Sequence, residues 1–226
     1  MTLPLAVLAS GGGSNLQAII DRVEEGKIAA RVTAVVSNKP QARALSRARA
    51  HGIPAIALPQ DDYPDRAAYD AALLAAVQDS GARAVILAGY LRLLAAPFIA
   101  AFRNRILNIH PALLPSFPGL RVQAAAAAYG VTIAGATVHF VDEEMDSGPI
   151  VIQAAVPADP DDDGESLAAR ILTLEHRIYP QAVAWLAAGR LTIDGRKTRL
   201  APSSLPPADL ATVSPCLVNP MLEEGF

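Results

Sequence analysis

Short apolar runs alternate with amphipathic stretches along the first half of this chain. Residues 5–9 (Leu-Ala-Val-Leu-Ala) read as a strand buried on both faces, and they end in Ser-Gly-Gly-Gly-Ser-Asn. Leu16, Ile19, Ile20 and Val23 then recur at helical spacing, with Gly26 as the stop. The alternation repeats with strands over 32–36, 55–58 and 84–88 and helices over 42–51 and from Asp65 to Gly81. Strands that alternate with helices predict a parallel sheet covered by helices.

The pattern changes after residue 105. An apolar run carries Asn108 and His110 into two prolines and a Pro-Gly turn, which end regular structure. Residues 132–141 and 150–156 read as two further strands around an acidic loop. A long helix is expected over 163–189, interrupted by Pro180, and a small hairpin over 191–200. The alanine run 124–128 sits at a helical position. From Ala201 a Pro- and Ser-rich stretch predicts an extended tail, so the expected organisation is one domain over 1–200 and a tail over 201–226.

Composition narrows the classes. The 226 residues suffice for one large domain with a sizeable core. With 19 basic against 22 acidic residues the formal charge is −3, which supplies no basic footprint for nucleic acid. No apolar run reaches the roughly 18 residues of a membrane span, and the N-terminus lacks a signal peptide's basic start. Cys216 is the single cysteine, so no internal disulfide forms, in keeping with a reducing cytoplasm.

Four constellations carry chemistry. Residues 10–15 (Ser-Gly-Gly-Gly-Ser-Asn) join a strand to a helix, where free N–H groups and the helix dipole favour a phosphate. The loop fits neither the dinucleotide fingerprint, since Leu16 replaces its third glycine, nor a Walker loop. A monophosphate site and a plain tight turn remain the two readings. Asn108 and His110 lie two residues apart and share one face of their strand. An amide donor beside a titratable base, at a strand's C-terminal end, suits general acid–base work.

The third is the acidic loop 142–149. As a calcium loop it fails, because Ser147 stands where the turn glycine belongs and Gln153 where a bidentate Glu is required. Zinc held by His110, His139 and Asp146 lacks a helical His-x-x-x-His element. A solvated acidic loop is the ordinary reading. The alternative is a carboxylate that orients a histidine, and Asp146, just before a Gly-Pro turn, is the candidate. The fourth is Glu175, one residue off the apolar stripe of the long helix. Glu175, Arg66 and Arg92 are each either a surface charge or a ligand anchor.

Together these segments resemble the folate-dependent glycinamide ribonucleotide formyltransferase family over about residues 4–200. The resemblance rests on Gly-Gly-Gly-Ser-Asn-Leu-Gln-Ala-Ile at 11–19, Leu-Ala-Gly-Tyr-Leu-Arg-Leu-Leu at 87–94 and Asn-Ile-His-Pro-Ala-Leu-Leu-Pro at 108–115. Val-His-Phe-Val-Asp-Glu-Glu-Met-Asp-Ser-Gly-Pro-Ile at 138–150 and Glu-His-Arg-Ile-Tyr-Pro at 175–180 complete it. It implies an open, mostly parallel sheet flanked by helices, Rossmann-like in its N-terminal half. It also implies that Asn108, His110 and Asp146 form a catalytic trio. Gly13, Ser14, Asn15, Leu16 and Gln17 would hold the phosphate and sugar of glycinamide ribonucleotide, and Leu172, Thr173, Leu174 and Glu175 its glycinamide end. Arg66, Leu91, Arg92, Leu93, Leu94, Asn108 and the loop Asp142, Glu143, Glu144, Met145, Asp146 would receive 10-formyltetrahydrofolate as co-substrate.

No metal, nucleic acid or membrane is implied, and the expected state is a cytoplasmic monomer or homodimer. One departure is local: Arg121, Val122 and Gln123 follow Leu120 where the family carries a histidine-containing stretch. The rival activity is a 10-formyltetrahydrofolate deformylase, with water in place of the amine; that family normally adds an N-terminal regulatory domain and needs no phosphate loop. A methionyl-tRNA formyltransferase would need an extra domain and a basic surface. A non-catalytic phosphosugar-binding module would leave Asn108, His110 and Asp146 without purpose.

Overall fold

A computed structural model describes residues 2–208 and 215–226. The part of the expected tail at 209–214 lies outside the described residues. The fold is an open, mostly parallel sheet flanked by helices. The chain forms two compact units, Met1–Asn108 and Ile109–Phe226, and the division falls inside a single strand.

The first unit holds β1 (Leu3–Leu8), α1 (Ser14–Glu24), β2 (Ala30–Ser37), α2 (Arg43–Ala50) and β3 (Ala55–Ala57). It continues with α3 (Arg66–Asp79), β4 (Ala84–Leu87), α4 (Ala96–Ala101) and most of β5 (Ile106–His110). The strands run parallel in the order β3-β2-β1-β4-β5. Their near-continuous apolar sequences follow from burial on both faces, with Leu5 to Leu8, Val85, Ile86, Ile106 and Leu107 inaccessible. The order reverses at β1, since β2 and β3 lie to one side and β4 and β5 to the other. Sheets of this kind bind ligands at such a switch point, outside the carboxyl ends of the strands. The loops after β1 and β4 meet there.

The second unit holds the end of β5, then α5 (Val122–Tyr129), β6 (Ile133–Phe140), β7 (Ile150–Pro157) and α6 (Gly164–Ala187). The hairpin β8 (Leu191–Asp194) and β9 (Lys197–Leu200) and the strand β10 (Leu217–Asn219) follow. The order is β6-β7-β9-β8, and β10 runs antiparallel on β7. Two expectations need correction. Helix α6 is not interrupted at Pro180 but continues through it. Proline removes one backbone donor, and the surrounding stretch from Ile178 to Val183 is buried throughout, so tertiary packing outweighs the loss. The described residues of the tail, 201–208 and 215–226, are not a plain extended segment either. Besides β10, the Arg177 guanidinium donates to the Phe226 carbonyl, Arg190 pairs with Glu223 at 2.7 Å, and the Glu223 amide donates to the buried Gln181.

Candidate active site

The loop after β1 is built from its glycines. Gly13 has φ 70°, the left-handed region glycine tolerates, and a Cβ there would stand 2.8 Å from Ala44 Cα. Added Cβ atoms at Gly11 and Gly12 would meet nothing within 4 Å, so that side of the loop is open to an approaching group. Helix α1 starts at Ser14 with no side-chain cap from Gly13, and a helix N-terminus favours an anion. Ser14 and Gln17 are half-buried, whereas Asn15 and Leu16 are buried and anchor the first turn.

Ser10 organises the switch point, a role that the sequence alone did not reveal. Its amide donates to the Gly89 carbonyl at 2.9 Å, and its Oγ accepts from the Leu91 amide at 3.0 Å and donates to Asn38 Oδ1 at 2.6 Å. One buried hydroxyl thus fixes the loops after β1, β2 and β4 to one another. A serine that closes a strand before a glycine run was its only signal. In the loop after β4, Leu91 and Leu93 are large, exposed and apolar. Arg92 lies over the Tyr69 ring at 4.7 Å and donates to Gln60, and Arg66 reaches the Leu93 carbonyl at 3.5 Å. Tyr69 and Tyr90 share a buried hydrogen bond of 2.7 Å, and burial pushes both phenols above their ordinary range.

At the other end of the sequence pattern, β5 delivers Asn108 and His110 in register two residues apart. The buried His110 ring lies between two acceptors. Its Nε2 is 2.8 Å from the Phe117 carbonyl, and a carbonyl can only accept, so Nε2 carries a proton. Its Nδ1 is 3.5 Å from Asp146 Oδ2. The same carboxylate oxygen accepts the Gly119 amide at 2.9 Å, and Oδ1 lies 3.7 Å from Nε2 of His139. Neither histidine contact is short enough for a well-formed hydrogen bond.

His139 is almost inaccessible and donates from Nδ1 to the Phe140 carbonyl at 2.8 Å. Burial is the main cause that pushes its pKa below the usual 6.5; the Asp146 charge opposes it. Asp146 has φ 52° in a turn braced by Asp142, whose Oδ1 accepts from Ser147 Oγ at 2.8 Å and from the Glu144 amide at 3.2 Å. In that loop Glu143, Glu144 and Met145 are exposed, and Asp142 is half-buried. Among the described residues no group of three or more His, Cys, Asp or Glu could hold a metal ion.

The sequence profile of the formyl transferase family matches residues 3–183. The chain belongs to the formyl transferase family. Within it, the chain is 42% identical over 207 residues to the phosphoribosylglycinamide formyltransferase of Escherichia coli, covering 92% of this chain and 98% of that protein. It is 46% identical over 189 residues to the trifunctional purine biosynthetic protein of Drosophila pseudoobscura pseudoobscura, covering 83% of this chain but only 14% of that much longer protein.

Among solved structures in the family, the glycinamide ribonucleotide transformylase 1 of Symbiobacterium toebii superposes with a TM-score of 0.87 at 50% identity, covering 89% of this chain and 95% of that one. The formyltetrahydrofolate deformylase of Burkholderia mallei superposes at 0.80 with 30% identity, covering 89% of this chain and 71% of that one. The remaining family-derived residues lie on α6. Leu174 and Glu175 are buried there, Leu172 is half-buried and Thr173 exposed, its Oγ1 donating to the Arg170 carbonyl at 2.8 Å. Leu174 is inaccessible and belongs to the core.

Proposed function

We propose that this chain transfers the formyl group of 10-formyltetrahydrofolate to the amine of glycinamide ribonucleotide, in the cytoplasm and without a metal. The observation that carries the reading is the seating of His110 against Asp146, two residues beyond Asn108 on β5. The relatives that match this chain nearly end to end bear the name of that activity.

In this mechanism the amine lone pair attacks the formyl carbon, whose C=O electrons move onto oxygen. Donors fixed where that negative charge develops lower the barrier most. The Asn108 amide and the His110 ring are those donors, and Asp146 supplies the ring's orientation and counter-charge. Collapse of the tetrahedral species breaks the bond to the folate nitrogen, which takes up the proton that the amine loses. Nε2–H of His110 is given to the Phe117 carbonyl in this structure. If Nε2–H is the donor the formyl oxygen uses, that carbonyl must yield it.

The phosphate of the nucleotide belongs at the open loop, with Gly13, Ser14, Asn15, Leu16 and Gln17. The glycinamide end belongs at Leu172 to Glu175. The folate belongs with Arg66, Leu91 to Leu94 and the loop 142–146, where exposed Leu91, Leu93 and Met145 offer apolar contacts. The catalytic domain runs over residues 1–200.

The test mixes protein and formyl-folate with and without glycinamide ribonucleotide and follows deformylated folate. Product that appears only with the amine substrate is expected. Product without it makes the chain a deformylase, and no product in either arm overturns the assignment.

A further inference from the structure

Helix α2 braces the glycine loop from behind. The Ala44 amide donates to the Gly11 carbonyl at 3.1 Å, and Arg47 Nε donates to the Gly12 carbonyl at 3.0 Å. The Gly13 carbonyl is taken by the Gln17 amide at 3.0 Å, the first helical bond of α1. A peptide group is planar, with its C=O and the following N–H pointing in opposite directions. Anchoring the carbonyls of Gly11 and Gly12 on α2 therefore turns the N–H groups of Gly12 and Gly13 away from α2. Successive N–H groups directed this way make an anion-binding concavity.

Arg47 does this with two arms. Its Nη1 also donates to Gln17 Oε1 at 3.0 Å, and Gln17 Nε2 in turn contacts Asp21 Oδ1 at 2.8 Å and His51 Nε2 at 3.0 Å. His51 completes the chain on Glu24 at 2.7 Å. One guanidinium thus ties the loop's middle peptide to the first turn of α1 and holds a permanent positive charge beside it. A lysine offers charge but not the planar fork that serves both acceptors.

We propose that Arg47 is a positioning residue for the phosphate of the nucleotide substrate, fixing the Gly12–Gly13 peptide so that its N–H faces the anion. This rests on the reading above that the loop takes that phosphate. Arg47 touches neither reacting atom, so its loss acts on binding and not on the chemical step.

The experiment measures kcat and both KM values for the wild type, Arg47→Ala and Arg47→Lys, together with the rise in Tm that inorganic phosphate produces in each. Arg47→Ala is expected to raise KM for glycinamide ribonucleotide by about tenfold or more, the scale of one lost charged hydrogen bond. Its kcat and its KM for formyl-folate should stay within about twofold of wild type. Arg47→Lys should recover part of that KM, and phosphate should raise the Tm of the wild type but not of Arg47→Ala.

An unchanged nucleotide KM in Arg47→Ala overturns the proposal. So does a loss spread equally over both substrates and kcat, which is what general loosening gives. Should the wild type show no amine-dependent turnover, the functional reading fails by itself. The phosphate protection then decides Arg47 alone: lost in the variant it supports the role, retained it removes it.

Discussion

Asp146 sits in a left-handed backbone conformation that few aspartates adopt. A Cβ on Gly148 would lie 1.9 Å from the Phe140 carbonyl, so this turn must pass β6 at a glycine. Gly148→Ala is therefore expected to displace the carboxylate and lower turnover by about 10²-fold, the effect of misplacing a positioned group by roughly 1 Å. Steady-state kinetics beside an unchanged far-ultraviolet dichroism spectrum checks this. His110→Ala and Asn108→Ala should each lose about 10²–10³ in kcat while keeping both KM values, as removal of an oxyanion donor does. Near-normal turnover in either would withdraw that residue from the mechanism.

His139 predicts a pH effect on stability. Its folded-state pKa is lowered, chiefly by burial, so the unfolded chain binds the proton first. Its contribution is complete above about pH 6.5 and is lost as the pH falls from there toward the folded value. Urea midpoints at pH 8 and pH 5 should differ more in the wild type than in His139→Gln.

Among the elements, periodicity located most helices and strands to within a few residues, because strands buried on both faces read as apolar runs and α1 as a stripe. The departures have physical reasons. α4 is six residues long and carries a proline in its first turn, too short to show a period. α6 runs through Pro180 because its second half is buried all round, and local propensity does not register that. Asp65, where the helical stretch is expected to begin, caps α3, its carboxylate accepting the Ala68 amide at 2.8 Å.

The close approach of α5 to α6 was not readable at all. Gly164, the first residue of α6, would place a Cβ 2.9 Å from Ala124 Cα. Alanine is the better helix former by about 1 kcal/mol, but overpacking typically costs about 1–3 kcal/mol. Gly164→Ala should therefore lower the Tm, and a rise would show that α5 yields at that point.

For the molecule as a whole, the motifs at 108–110 and 142–148 were legible because polar side chains that end an apolar strand or fill a tight turn stand out from the pattern around them. The brace from α2 was not, since Arg47 reads as an ordinary helix-surface cation until its partners are placed. The same holds for β10, whose three residues follow a Pro- and Ser-rich stretch.

That small strand has a consequence for solubility. One side of β7 pairs with β6 along its length, while the other is covered in two pieces, β9 at Ile150 and β10 at Gln153 to Ala155. Removing residues 215–226 would leave the second piece of that side with bare backbone donors and acceptors, flanked by apolar side chains. Exposed strand edges recruit other strands. The shortened chain is expected to associate with itself as concentration rises, visible as growing light scattering, even where its helices and remaining strands persist.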